Sequence, residues 1–304
     1  MKYTTGHILE YLEEWAPQST KLEYDNVGLL VGDRNQQTEK VLTCLDITPD
    51  IIDEAISRQA DLIVAHHPLI FRKLSRVTPD NMTGSLIYRL IKNDISLIAA
   101  HTNLDAAYGG VSFVMAERLG LKHVSFLKEV PISGQNGSAA TPQRIVSGEA
   151  GTAQETAAGH KGLPVTERPA ISERTGFGAI GELPEEMSLT GFLTHVQKSL
   201  ECRGIRYGGT ADPIKKVAVC GGSGSFLTDE AVRQQADAFV TADLKYHDFF
   251  TETPSFLLVD AGHYESEVPI TGTLCDRLTD RFPGLEVLPT SRNTNPVNYF
   301  FHDY

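Results

Sequence analysis

Apolar positions along the chain follow two periods. Over residues 5–16, Ile8, Leu9, Leu12 and Trp15 recur at helical spacing, and Pro17 closes the segment. Short continuous apolar runs follow at residues 29–31, 41–45, 62–65 and 95–100, each bounded by turn residues, as strands buried on both faces require. Helical patterns stand between these runs. One opens with Thr48 as N-cap and Pro49 as first residue and continues through Ile51, Ile52, Ala55 and Ile56. Others span residues 84–91 and 111–119. Strand and helix alternate, which predicts an α/β architecture with a covered sheet.

The pattern then lapses. Residues 128–175 contain no aromatic side chain and are dominated by Gly, Ser, Ala, Thr, Pro and Glu, as in a low-complexity insert or linker. Periodicity returns at residues 177–180 and in a helix over 189–200 with Phe192, Leu193 and Val196 on its apolar face. The second half repeats the first. Lys216-Val217-Ala218-Val219-Cys220 aligns on Lys40-Val41-Leu42-Thr43-Cys44. At the same offset Gln235-Ala236-Asp237 falls on Gln59-Ala60-Asp61, and Asp243 on His67. With a small change of offset, His263 and Glu267 fall on His101 and Asp105. Two such matches in order point to a duplicated α/β unit. The expected organisation is an N-terminal lobe (1–127), the insert (128–175) and a C-terminal lobe (176–304), the two lobes enclosing a shared cleft.

Composition narrows the function. The chain has 304 residues, 41% hydrophobic and 22% charged, ordinary for a globular protein with room for two cores. A formal net charge of −12 with no basic run disfavours nucleic acid or an anionic membrane as main partner. No apolar run approaches the ~20 residues that span a bilayer. Cys44, Cys202, Cys220 and Cys275 are widely spaced, which suits buried thiols in a reducing compartment. The first residues enter an amphipathic pattern rather than a signal-peptide core, so the expected location is the cytoplasm.

The chemistry sits where the strands end. The run 62–65 stops at His66 and His67, and Pro68 turns the chain at once. A buried strand has no use for adjacent imidazoles unless each finds a hydrogen-bond partner or a metal. His101 and Asp105 follow the run 95–100, and His263 and Glu267 follow Leu257-Leu258-Val259-Asp260. Residues four apart on a helix share one face. Taken singly, each has a bland reading as a core histidine, turn residue or helix start. Together they recur at equivalent strand ends, and open α/β sheets bind ligands there. More than four nitrogen and oxygen donors, without cysteine, suit two divalent ions, with zinc, manganese, iron and cobalt all open. A carboxylate such as Glu267 can span both ions, leaving His101, the catalytic candidate, either as a support behind the ligands or as a proton shuttle. Two ions about 3.5–4 Å apart acidify water and polarise an electrophile, which is hydrolytic equipment. Two other features are weaker. Cys220-Gly221-Gly222-Ser223-Gly224-Ser225 lacks full dinucleotide or P-loop spacing and reads as a tight turn, and Asp243 and His247 are candidates to line the cleft.

The combined motif set resembles the NGG1-interacting-factor-three-like family, dinuclear-metal hexameric proteins also labelled GTP cyclohydrolase I type 2 homologues. The resemblance rests on Tyr24-Asp25-Asn26-Val27-Gly28, on residues 61–68, and on His101-Thr102-Asn103-Leu104-Asp105. It continues in Thr241-Ala242-Asp243-Leu244-Lys245-Tyr246-His247 and in Asp260-Ala261-Gly262-His263 with Glu267. It implies that His66, His67, Asp105, His263 and Glu267 ligate metal. His67 and Asp105 would hold one ion, His66 and His263 the other, with Glu267 touching both. It further implies two α/β lobes, a toroidal homohexamer and a small nucleotide-like substrate such as GTP. The competing expectation is a metal-stabilised scaffold or regulatory protein without turnover.

Overall fold

Parallel strands buried on both faces set the layering. The structure, a computed structural model, describes residues 2–130 and 174–300. In the first sheet the strands lie in the order Glu286–Pro289, Lys40–Cys44, Leu62–Ala65, Ser96–Ala99 and Gly28–Val31. The first four are parallel and Gly28–Val31 is antiparallel to its neighbour. In the second sheet the order is Lys122–Val130, Thr175–Met187, Ile214–Val219, Ala238–Thr241, Leu257–Asp260 and Arg206–Gly208. Its central three parallel strands are flanked by antiparallel ones.

Alternate residues of each parallel strand feed opposite cores, as a two-residue period demands. Val41, Leu62, Val64 and Ile98 pack with Leu12, Trp15, Leu274 and Leu278 on one side of the first sheet. Leu42, Cys44, Ile63, Ala65 and Leu97 pack with Ile51, Ile52, Leu86 and Leu90 on the other. Val217, Val219, Val240 and Val259 meet Phe192 and Met115 in the second sheet, while Ala218, Phe239 and Leu258 meet Leu227 and Phe256. Each fully buried aliphatic side chain stabilises by roughly 1.5–3 kcal/mol.

The repeated segments fold alike in detail. Gln59 and Gln235 both adopt a left-handed conformation, at φ 57° and 58°, just after their helices. Asp61 Oδ2 then accepts hydrogen bonds from the amides of Glu39 and Lys40, at 2.8 and 2.9 Å. Asp237 Oδ2 accepts from Lys215 and Lys216, both at 2.8 Å. In each sheet the strand that precedes the repeat crosses over to pair antiparallel with the third parallel strand. The fold is α/β, and the same frame occurs twice.

Chain from both sides of the 128–175 segment enters both sheets. Lys122–Val130 joins the second sheet, while helix Ile270–Arg281 packs on the first and leads to its edge strand Glu286–Pro289. Within the segment expected as an insert, residues 131–173 lie outside the described residues. Its flanks are paired strand, Lys128 with Phe177 and Val130 with Thr175. Among the described residues, no helix is long and apolar enough to cross a membrane.

Candidate metal centre

The carboxyl ends of parallel strands from both sheets converge on one cluster. Ala65 leads directly into His66 and His67. His101 stands just before the short helix Thr102–Asp105, and His263 opens the helix His263–Glu267. The sequence separates these residues by up to 201 positions, and the repeated frame brings them together.

Each imidazole is held by its Nδ1. His66 Nδ1 lies 2.8 Å from the Ala100 carbonyl oxygen, His67 Nδ1 2.7 Å from Asp46 Oδ1, His101 Nδ1 2.9 Å from Asp25 Oδ1, and His263 Nδ1 2.7 Å from Asp243 Oδ2. A carbonyl or carboxylate can only accept, so each Nδ1 donates and each neutral ring presents the lone pair of Nε2. Metal-ligating histidines use this arrangement, with the outer hydrogen bond fixing tautomer and orientation.

The Nε2 atoms face two carboxylates. Glu267 Oε2 lies 2.9 Å from His67 Nε2, 3.0 Å from His263 Nε2 and 3.9 Å from His66 Nε2. Asp105 Oδ1 lies 3.6 Å from His66 Nε2. Among the described residues, His66 Nε2, Asp105 Oδ1 and Glu267 Oε2 are all buried without a hydrogen-bond partner. Leaving a buried polar atom unsatisfied costs about 1–3 kcal/mol. Three such atoms converging on one space, all of ligand type, fit a bound cation. The donors fall into groups that could hold an ion: His67 with His263 and Glu267, His66 with Asp105 and Glu267, and His66 with His67 and His101.

The electrostatics agree with that fit. Burial pushes His66 down to about 3, against the pull of Glu267, so the ring is neutral and ready to donate its lone pair. Burial also opposes charge on His67 and His263. There the hydrogen bonds to Asp46 and to Asp243, with the nearby charge of the Glu267 carboxylate, outweigh it and raise the rings to about 9 and about 11. Glu267 is buried, yet its contacts with His263 and His67 hold it well below the usual carboxylate range. Burial and the charge of Glu267 push Asp105 well up. The rings beside Glu267 are thus drawn toward positive charge, which a bound cation would equally supply.

A glycine makes room for the shared carboxylate. At Gly222, with φ +60°, an added Cβ would lie 2.1 Å from Glu267 Oε1. The close approach of the turn at residues 220–225 serves Glu267.

The chain matches the family model Duf34/NIF3 (NGG1p interacting factor 3) over residues 3–296. It belongs to the Duf34/NIF3 family. A relative in Clostridium perfringens named GTP cyclohydrolase 1 type 2 homolog is 34% identical over 296 residues, covering 96% of this chain and 98% of the relative. One of the same name in Clostridium acetobutylicum is 31% identical over 306 residues, covering 98% and 100%. A solved Staphylococcus aureus hypothetical protein superposes with a TM-score of 0.79 at 28% identity, covering 99% of this chain and 100% of that one. A Bacillus cereus protein related to NIF3 gives 0.77 at 27%, covering 98% and 99%.

In this NIF3-family chain the five candidate ligands lie together, with His101 beside them. Its ring centroid is 5.3 Å from that of His66 and 5.4 Å from that of His67. The grouping differs from the one the resemblance implied. His66 stands with Asp105 and Glu267, and His67 with His263 and Glu267. Asp243 joins the site as the brace of His263. His247 does not. It is exposed on the turn Tyr246–Phe249, against the Tyr246 ring. Asp46 and Asp25 were given no role from sequence. Asp46 lies two residues past a strand end, just ahead of the Thr48 N-cap. Asp25 lies within the motif at residues 24–28, and its partner His101 is 76 positions away.

Proposed function

We propose that this NIF3-family protein is a dinuclear divalent-metal-dependent hydrolase of the GTP cyclohydrolase 1 type 2 kind, acting on a small nucleotide-like substrate. The observation that carries the reading is the single oxygen Glu267 Oε2, set within 3.0 Å of both His67 Nε2 and His263 Nε2 and 3.9 Å from His66 Nε2. In this reading Glu267 is shared, His66 and Asp105 complete one half-site, and His67 and His263 complete the other. Zinc, manganese, iron or cobalt held there would supply Lewis-acid polarisation and lower the pKa of water.

The protein's own groups do the rest. His101 is excluded from the ligand set in this reading and works as the proton-handling residue. Its Nδ1 is committed to Asp25, whose carboxylate is itself pinned by the Thr102 amide at 3.1 Å and the Thr102 hydroxyl at 2.5 Å. Nε2 is then the ring atom at which a proton is taken and returned. A cavity of about 510 Å³ opens in front of His67 and His263, lined also by Arg206, Asp243 and Tyr299. That volume suits a small ligand. The names borne by the curated relatives support the cyclohydrolase version. We further assign the protein to the cytoplasm, where its free thiols stay reduced, and to a homohexamer. Exposed Tyr24, Phe71, Met82, Tyr88 and Ile91 supply apolar surface for self-association.

The test is to strip the purified protein, reload it separately with Mn²⁺, Zn²⁺, Fe²⁺ or Co²⁺, and assay GTP ring opening beside a panel of phosphoesters. Turnover with at least one metal is expected. His101→Asn should keep both ions and lower turnover by roughly 10²–10⁴-fold, the usual worth of a general acid–base group. A second reading, a metal-stabilised scaffold, draws on the buried unpartnered donors, since a cation there adds stability whatever the chemistry. No turnover with any metal, beside a large metal-dependent rise in Tm, would select it.

A further inference from the structure

The segment after strand Glu286–Pro289 has no regular secondary structure through residue 300, yet side chains tie it down along its length. The Thr290 hydroxyl donates to Glu54 Oε2, and the Ser291 amide and hydroxyl both donate to Glu54 Oε1 at 2.9 Å. Thr294 Oγ1 donates to Asp46 Oδ2 at 2.6 Å, and Asn295 Nδ2 to Glu265 Oε1 at 2.9 Å. Glu54 and Glu265 are buried acceptors. They stand on different parts of the frame, Glu54 on helix Pro49–Ser57 against the first sheet and Glu265 on the helix that carries His263 and Glu267. Pro296, Val297 and Tyr299 then line the cleft beside His67 and His263. The segment is a strap across the cleft.

The four imidazole braces differ in what completes them. His66 leans on a main-chain carbonyl. Asp25, behind His101, is held by Thr102, the residue next to His101. Asp243, behind His263, is held by Ser223 Oγ at 2.5 Å, from the neighbouring strand-end turn of the same sheet. Asp46, behind His67, gives one oxygen to His67 and the other to Thr294 of the strap, 248 positions away. A carboxylate tied at one oxygen swings freely about its last torsion, whereas one tied at both does not. The orientation of His67 is thus the one that depends on the strap.

We propose that the strap sets the affinity of one half of the dinuclear centre. Thr294 is a positioning residue that fixes Asp46, Asp46 orients His67, and strap docking tunes the His67–His263–Glu267 group while leaving the His66–Asp105–Glu267 group unchanged. The inference rests on the dinuclear reading above. Loss of a group behind a ligand costs about 10–100-fold in metal affinity. Thr294 acts one residue further out, so the lower end of that range applies.

The experiment is a chelator-competition titration with Zn²⁺, with ions per chain counted by elemental analysis, on the wild type, Thr294→Val and Thr294→Ser. Thermal melts of the metal-free proteins run alongside. Thr294→Val keeps the shape and removes the donor. It should hold one ion at wild-type affinity and bind the other about 10-fold more weakly. Thr294→Ser should restore the wild-type titration. If the valine variant folds poorly, Thr294→Ala must show the same selective loss. Two ions in the wild type with both affinities unchanged in Thr294→Val, both lowered alike, or no rescue by serine would overturn the strap's role alone. A wild type that takes up no second ion overturns the dinuclear reading and this inference with it.

Discussion

At the end of strand Leu62–Ala65 the chain places His66 and His67. At the end of the matching strand Ala238–Thr241 it places Ala242 and Asp243. The backbone frames agree down to the left-handed glutamine and the aspartate that follows it, yet the side chains do different work. His67 turns its Nε2 toward Glu267, while Asp243 braces His263. One strand earlier, Asp46 braces His67, and its counterpart Gly222 offers only space, which Glu267 fills. One strand later the two copies converge. His101 and His263 are both braced by aspartate, and each precedes a carboxylate by four residues. Glu267 has one methylene more than Asp105 and approaches three imidazoles, whereas Asp105 reaches His66. The repeated frame supplies the positions, and side-chain length and bracing decide which side chain faces the cluster, which braces and which leaves a gap.

Changes at paired positions should break this asymmetry in predictable ways. The largest effect is expected at the shared carboxylate. Glu267→Gln keeps the shape and removes the charge, so both ions should weaken by more than the roughly 100-fold that the loss of an outer partner can cost. Elemental analysis after dialysis against chelator reads this out, and loss of one ion alone would contradict the sharing. Gly222→Ala comes next. Its Cβ would meet Glu267 Oε1 at 2.1 Å, and a left-handed non-glycine residue costs roughly 1–2 kcal/mol besides. Both affinities should fall, with a lower Tm even without metal. At the counterpart position, Asp46→Ala should weaken one ion only, by roughly 10–100-fold. Equal losses from Gly222→Ala and Asp46→Ala across both ions would show that the two positions are not specialised.

Much of this comparison was legible in the sequence. The runs at 41–45, 62–65 and 95–100 became parallel strands because continuous aliphatic residues buried on both faces leave few other solutions. The five candidate ligands and His101 were visible as polar residues where apolar strands stop, and the repeat tied them together. The edge strand Glu286–Pro289 was not visible. Four residues, half of them polar or proline, carry no period, and the strand exists because helix Ile270–Arg281 delivers it beside Lys40–Cys44. Asp46 and the strap were missed for a related reason. A brace is defined by a partner across the fold, and Thr294 lies in a segment with no periodicity. Which candidate ligands stand together also needed coordinates, since sequence does not show which way adjacent rings turn.

A smaller effect tests how the strap is held to the first sheet. Burial alone would raise Glu54, but hydrogen bonds from Thr290 and Ser291 and the charge of Arg58 bring it below its ordinary range. A carboxyl depressed in the folded state takes up protons more readily when unfolded. Its stabilisation is therefore complete above the unfolded pKa of about 4.3 and disappears as pH falls through the lower folded value. Glu54→Gln should cost roughly 1.5–3 kcal/mol at pH 7, the worth of hydrogen bonds to a charged group. The gap to the wild type should close below about pH 4 in denaturant titrations. A gap independent of pH would mean that the charge of Glu54 is not what holds the strap.

The central claim is that two half-sites share Glu267, and counting ions per chain tests it most directly. Wild type, His66→Ala and His263→Ala would be reconstituted with one metal, cleared of loosely bound ions and analysed for metal against protein. The account predicts two ions, one and one. The ion left in His66→Ala should be lost on adding His263→Ala, and a single ion in the wild type, or two retained in either variant, would contradict it.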